Sequence, residues 1–380
     1  QGTKRVGRDW FGIYALRGKL LNVRNAKASA IAKNKVISEI FKILGLRYGV
    51  DYLDETNFNT LRYGRVMILT DADVDGIHIS SLIQNLFHAL FPTLLLRKQP
   101  FIISMQTPIV RVFNRPNDIL FYNEQKYREY VHQQLQKNPN VKINKMYYKG
   151  LGTSTDKDID ETFGKKLIAF RMDADTDKSM NKVFHKDNAD MRKEWLIHYD
   201  PLYQGIDWGN KSIAWMDISK YMDFEMIKFS IDDCGRSIPG MMDGMKEGQR
   251  KAMFGVFKKN LLYSKPALKV AQLAGYIAEH SGYHHGEQNL YDSITRQANC
   301  FPGSNNLPLL FRGGQFGTRS EGGKDAANAR YIFTKQDKLT NLIIRPEDFP
   351  LLHYKDDDGL SVEPTYYVPI IPLILANGCS

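Results

Sequence analysis

Three aspartates at alternate positions, Asp71, Asp73 and Asp75, close the stretch "VMILTDADVDG" (66–76). Alternate residues of extended chain project from one side, so the three carboxylates would repel one another unless a cation lay among them. A hard divalent ion suits such a cluster: Mg²⁺ takes one or two carboxylates and keeps positions open for water and phosphate. Gly76 reads as a sharp turn into a following helix, whose positive dipole end favours phosphate. "DADVDG" also imitates the opening of an EF-hand loop, but the twelfth loop position is Leu82 in place of a glutamate and a strand-like run precedes it. A solvated acidic loop is the plain alternative. No fourth acid stands nearby to complete the ligand set or act as a base.

A second set of groups suits phosphodiester chemistry. In "DAANARYIFT" (325–334) Arg330 precedes Tyr331. A tyrosine hydroxyl, with a pKa near 10, attacks phosphorus only with cationic neighbours, a base or a metal. Arginine suits the charge of a phosphoryl transition state, although an Arg-Tyr pair taken alone is usually plain surface. "SGYHHGE" (281–287) places His284 and His285 in a glycine-bounded turn, suited to phosphate contact or proton transfer. His280 and His284 imitate a zinc spacing that Gly282 interrupts. "GQRKAMFGVFKKN" puts Arg250 and Lys251 eight residues from Lys258 and Lys259, roughly one helical face that would track a phosphate backbone or simply meet solvent. Lys149 in "YKGLGTST" would approach phosphate or sit in an ordinary turn. "GTRSEGGKD" is no Walker loop, because Lys324 is followed by Asp325.

These residues need elements to hold them. "GRVMILT" (64–70) reads as a buried strand, and Ile79, Leu82, Ile83, Leu86 and Leu90 recur at helical spacing until Pro92. "FIISMQTPIVRVF" (101–113) reads as a further strand, giving a parallel α/β unit with the aspartates at a strand's carboxyl end, where such units bind ligands. The charged region after about 156 reads as a helical connector. Three short helices follow (248–260, 269–280, 287–299), then a glycine-rich loop between extended segments: the pattern of a winged helix-turn-helix.

The 380 residues exceed one ordinary core and carry a formal charge of +10, favouring a polyanionic partner. Cys234, Cys300 and Cys379 are too scattered for a disulfide framework. The opening residues "QGTKRVGRDWFG" hold no apolar core of the kind a signal peptide needs, and "YYVPIIPLILA" is too short and proline-broken to span a bilayer. A soluble intracellular protein with no membrane partner is expected. Both ends read as cut, so a piece of a longer protein is expected too.

Seven stretches in order, "LRGKLLNVRNA" (16–26), "LTDADVDGIHI" (69–79), "YYKGLGTST" (147–155), "GQRKAMF" (248–254), "KVAQLAGYIAEHSGYHHGEQ" (269–288), "GSNNLPLL" (303–310) and "GQFGTRSEGGKDAANARYIFT" (314–334), resemble the DNA-breakage core of eukaryotic-type DNA topoisomerase II, a type IIA topoisomerase. The resemblance covers essentially the whole chain. It implies a multidomain α/β plus α+β protein: a Toprim parallel α/β sheet over 1–165, a connector over 166–220, a winged-helix domain over 221–350 and the start of a tower-like domain over 351–380. It further implies Tyr331 as the nucleophile forming a 5′-phosphotyrosyl bond, with Arg330, His285 and Arg250 around the scissile phosphate. Asp71, Asp73 and Asp75 match the metal-binding acids, taking Mg²⁺ with Mn²⁺ or Ca²⁺ as substitutes. Lys19, Lys149, Lys251, Lys258, Lys259 and His284 match positions facing DNA.

Two such chains in a homodimer would cut both strands of one duplex, pass a second with ATP bound outside this chain, and reseal. A cellular enzyme would act in the nucleus, a viral one in host nucleus or cytoplasm. The family's metal-site glutamate would lie just before "VGRD", outside this chain, and Glu247 stands where a proline is common. The rival readings are a metal-dependent Toprim nuclease or primase-like enzyme, and a non-catalytic winged-helix DNA-binding protein.

Overall fold

The computed structural model describes residues 7–114, 116–148, 150–201, 211–283, 285–357 and 359–378. The chain forms two compact units, residues 1–232 and 233–380. Lys149 and His284, both singled out above, lie outside the described residues.

The first unit is built on a four-stranded sheet. In chain order its main elements include α1 (Lys35–Leu44), β1 (Val66–Leu69), α2 (Val74–Leu90), β2 (Ile102–Met105), β3 (Val110–Val112), β4 (Ile119–Phe121), α3 (Glu124–Lys137), β5 (Lys145–Tyr147), α4 (Asp156–Thr162), β6 (Leu167–Arg171), α5 (Thr176–Phe184), α6 (Ala189–Ile197) and β7 (Ile213–Asp217). β1 and β2 run parallel through α2, with Val66 opposite Ile102 and Leu69 opposite Met105, as the strand–helix–strand reading required. The order β1–β2–β6–β7 is mixed, not wholly parallel, because β6 returns antiparallel to β2 before pairing parallel with β7.

Two further readings change. "FIISMQTPIVRVF" is two strands in different sheets: β2 stays in the main sheet, and β3 joins β4 and β5 in a three-stranded antiparallel sheet. Pro108 lies in the gap, with no backbone N–H to offer a ladder. The segment 166–220, read as a helical connector, supplies β6 and β7 to the main sheet. Its charged residues hide a short apolar run, "LIAF", three of whose side chains are buried.

Tyr52, Phe87, Phe91, Phe101, Ile102 and Phe170 sit at the centre of this unit's core. α2 runs through it and buries polar side chains as well, among them Ser81, Gln84, Asn85 and His88. The second unit packs α7 (Glu247–Lys258), α8 (Val270–Ser281) and α9 (Glu287–Ala298) around Val256, Leu273, Ile277 and Ile294. β8 (Leu268–Lys269) pairs antiparallel with β9 (Phe333–Thr334), and β10 (Tyr354–Asp357) forms a hairpin with β11 (Leu360–Pro364).

Candidate functional site

The aspartate run folds differently from the extended chain its alternation suggested. α2 starts at Val74, before Gly76, and Asp73 is its N-cap: Oδ1 accepts the Gly76 N–H at 2.7 Å. An N-cap carboxylate satisfies a helix-end donor and complements the dipole, which explains why the helix begins there. Asp75 and Gly76 therefore lie in the first helical turn. Gly76 is required by space, not by turning, since a Cβ there would collide with the Asp71 carbonyl oxygen.

Each carboxylate has its own partner. Asp71 Oδ1 accepts the Leu151 N–H at 2.6 Å, so the loop from Gly150 to Thr153 rests on the first aspartate. Asp75 Oδ1 lies 2.9 Å from the Lys19 ammonium, which also sits 4.5 Å from the Phe229 ring centroid. Among the described residues no three His, Cys, Asp or Glu side chains converge as a metal cage. All three aspartates nevertheless line one groove of about 520 Å³ beside β1, whose other walls are mostly apolar, with Leu16, Ile40, Ile79 and Ile83 among them and Arg65 and Thr70 as polar exceptions. Exposed carboxylates of Asp71 and Asp73 at such a groove are hard-oxygen donors of the kind Mg²⁺ accepts, two at a time, alongside water.

In the second unit the sequence around Tyr331 alternates in burial. Ala329 and Ile332 are inside, while Arg330 and Tyr331 face out, with Tyr331 70% exposed. Backbone bonds hold the segment to the start of α8: the Val270 N–H donates to Ile332 O at 3.0 Å and the Ala271 N–H to Ala329 O at 3.1 Å. Asn328 shapes the turn. Its carbonyl accepts the Tyr331 N–H at 2.8 Å, and its Oδ1 accepts from Arg330 N and Nε at 3.1 and 3.2 Å. The Arg330 guanidinium thus stands 5.9 Å from the Tyr331 ring centroid.

The basic face expected on α7 is split. Lys258 and Lys259 are exposed, Lys259 lying 4.1 Å from the Tyr276 ring centroid. Arg250 and Lys251 are buried, 6% and 8% exposed, and so do not share that open face. Arg250 Nε and Nη2 donate to the two oxygens of fully buried Asp243 at 2.7 and 2.9 Å. Burial alone would lower the Arg250 pKa, but this opposite charge outweighs it and raises the value. Lys251 pairs with Glu363, 112 residues onward, at 2.8 Å. A helical wheel sees neither acid, so Asp243 and Glu363 were missed; Asn328, an ordinary turn residue, gave no signal at all. His285 is exposed, its ring edge-on to Tyr283 at 5.4 Å between centroids, in the turn opened by Gly282 (φ +60°).

Three family models match end to end: the Toprim domain over residues 4–105, the C-terminal associated domain of Toprim over 105–234, and the A-type subunit of DNA gyrase/topoisomerase IV over 236–380. Over 99% of its length the chain is 44% identical to DNA topoisomerase 2 of Invertebrate iridescent virus 6 and 46% identical to that of Saccharomyces cerevisiae. The chain belongs to the DNA topoisomerase 2 family. It spans 33% and 26% of those two relatives. Its fold matches a crystal structure of the Plasmodium falciparum topoisomerase II DNA-binding, cleavage and re-ligation domain, with a TM-score of 0.79 and 41% identity, over 100% of this chain and 50% of that one. Among the described residues no helix is long and apolar enough to cross a membrane.

Proposed function

We propose that this chain is the DNA-cleaving core of a type II DNA topoisomerase. The observation that carries the reading is the exposure of Tyr331 beside Arg330, on a segment anchored to α8 on both sides of the pair. The Tyr331 Oη attacks a backbone phosphorus and the 3′ oxygen leaves, so a 5′-phosphotyrosyl ester replaces the phosphodiester. The phenol proton passes to a base, and the departing oxygen ends as a 3′-hydroxyl. Attack by that hydroxyl on the ester reverses the step, which makes resealing independent of any other energy source. Arg330 offsets charge on the phosphoryl oxygens, and His285 contacts the same phosphate. Arg250 acts on this site from its buried ion pair with Asp243. Lys19, Lys149, Lys258, Lys259 and His284 are the DNA-facing candidates, and buried Lys251 serves within the unit.

Asp71, Asp73 and Asp75 would hold Mg²⁺, which would supply Lewis-acid charge when bound. The α7–α9 helices with β8 and β9 supply the winged-helix frame. The partners are duplex DNA and a second copy of the chain; ATP acts outside this chain, in the nucleus of a cell or in the host compartments used by a virus.

The test uses the parent protein, end-labelled duplex and Mg²⁺, stopped with denaturant. Label trapped on protein, and lost in Tyr331→Phe, is expected. Strand cleavage that survives Tyr331→Phe with free ends would identify a hydrolytic nuclease, and DNA binding without cleavage an inert binding domain.

A further inference from the structure

Lys251 is expected on sequence to face DNA, yet its ammonium is spent inside the second unit. It donates to the Ser281 carbonyl at 2.6 Å and to Glu363 Oε2 at 2.8 Å. Ser281 is the last residue of α8, so its carbonyl is one of those that a helix end leaves without an internal donor. A cation there also complements the negative end of the helix dipole. Glu363, on β11, is 0% exposed. Its Oε1 lies 3.4 Å from the Lys355 ammonium on β10, at ion-pair distance but off hydrogen-bond alignment. Glu247 completes the group, 3.9 Å from Lys251 and 3.8 Å from Lys355, so two ammonium and two carboxylate groups balance.

The same hairpin touches the next residue of the turn. Asp357 at the end of β10 packs so close to Gly282 that a Cβ on Gly282 would strike its carboxylate. Thus α8 ends, and the turn carrying His285 begins, between a lysine held by β11 and a glycine pressed by β10. A buried ion pair contributes little to stability compared with apolar groups of the same shape, so stability alone does not call for Lys251 and Glu363 here. What the pair supplies is a fixed position for the Ser281 carbonyl, four residues before His285.

We propose that Glu363, acting through Lys251, is a positioning residue for the histidine turn, setting His285 against the phosphate that Tyr331 attacks. The proposal rests on the function given above. Its test compares the parent protein with Glu363→Gln and with the double variant Lys251→Met/Glu363→Leu, which removes both charges and keeps the pair's volume. In the double variant melting should stay close to wild type, while amide exchange across 281–286 quickens about tenfold. Covalent trapping at saturating DNA should fall about tenfold or more, with DNA affinity changed by less than about threefold. Adding His285→Ala should lower trapping no further, because both changes remove one contact.

Unchanged exchange across 281–286 in both variants overturns the proposal. So does a loss of trapping that multiplies with that of His285→Ala, since Glu363 would then act elsewhere. If the wild-type protein traps no label, the topoisomerase reading fails instead, and the exchange measurement still reports whether Glu363 holds the turn.

Discussion

Asp75 and Lys19 stand 2.9 Å apart at the edge of the aspartate groove, which makes the carboxylate an object of competition between an ammonium and any divalent ion. Both side chains are partly exposed, so the pair is worth only about 0.2–1 kcal/mol. Lys19→Met should therefore raise affinity for Mg²⁺ or Mn²⁺ by about two- to fivefold, and titration calorimetry on the parent protein would show it. The same change should weaken DNA binding and reduce the salt slope by about one if Lys19 meets a phosphate. Metal affinity that stays level or falls would mean that Asp75 is not a ligand. At this scale the sequence located the acids between a strand and a helix, while Tyr331 stood out only through the resemblance of its whole stretch. It hid the partners: Lys19 is 56 residues before Asp75 and Glu363 is 112 after Lys251, and nothing local in either stretch announces the other.

At the scale of elements, α2 couples the aspartates to a buried polar knot at its far end. Arg24 donates through Nε to Asn85 Oδ1 at 2.9 Å, and its other nitrogen meets His88 Nδ1 at 2.6 Å. His88 Nε2 lies 2.9 Å from Asp177 on α5. Accepting from a guanidinium requires an unprotonated Nδ1, so the neutral imidazole belongs to the fold. Burial pushes the His88 pKa below its ordinary 6.5, Arg24 pushes it further down, and Asp177 opposes both. The unfolded chain therefore binds a proton that the folded one refuses, and this contribution to stability, present above pH 6.5, is lost as pH falls from there through the lower folded-state pKa. Melting temperature should drop as pH falls below about 6.5, and His88→Gln should flatten that dependence. An equal slope in the variant would place the effect elsewhere. Helical periodicity revealed α2 and the three helices of the second unit, since their signals are local. β6 and β7 escaped because short strands among charged residues are recognised by what they pair with, and their partner β2 lies some sixty residues away from β6.

For the whole molecule, the mixed sheet has a consequence for handling the chain by itself. Among the described residues β1 is paired on one side only, and Leu69, on that strand, is 41% exposed beside an apolar groove. Unpaired N–H and C=O groups along a flat apolar strand form a template onto which another strand can add. The isolated chain, despite its charge of +10, should therefore self-associate as its concentration rises. Met67→Lys, which places a charge in the middle of that strand, should suppress the association in light scattering without unfolding the unit. The open edge of β1 runs directly into the aspartates, so colloidal behaviour and chemistry meet on neighbouring residues of one short stretch, 66–75.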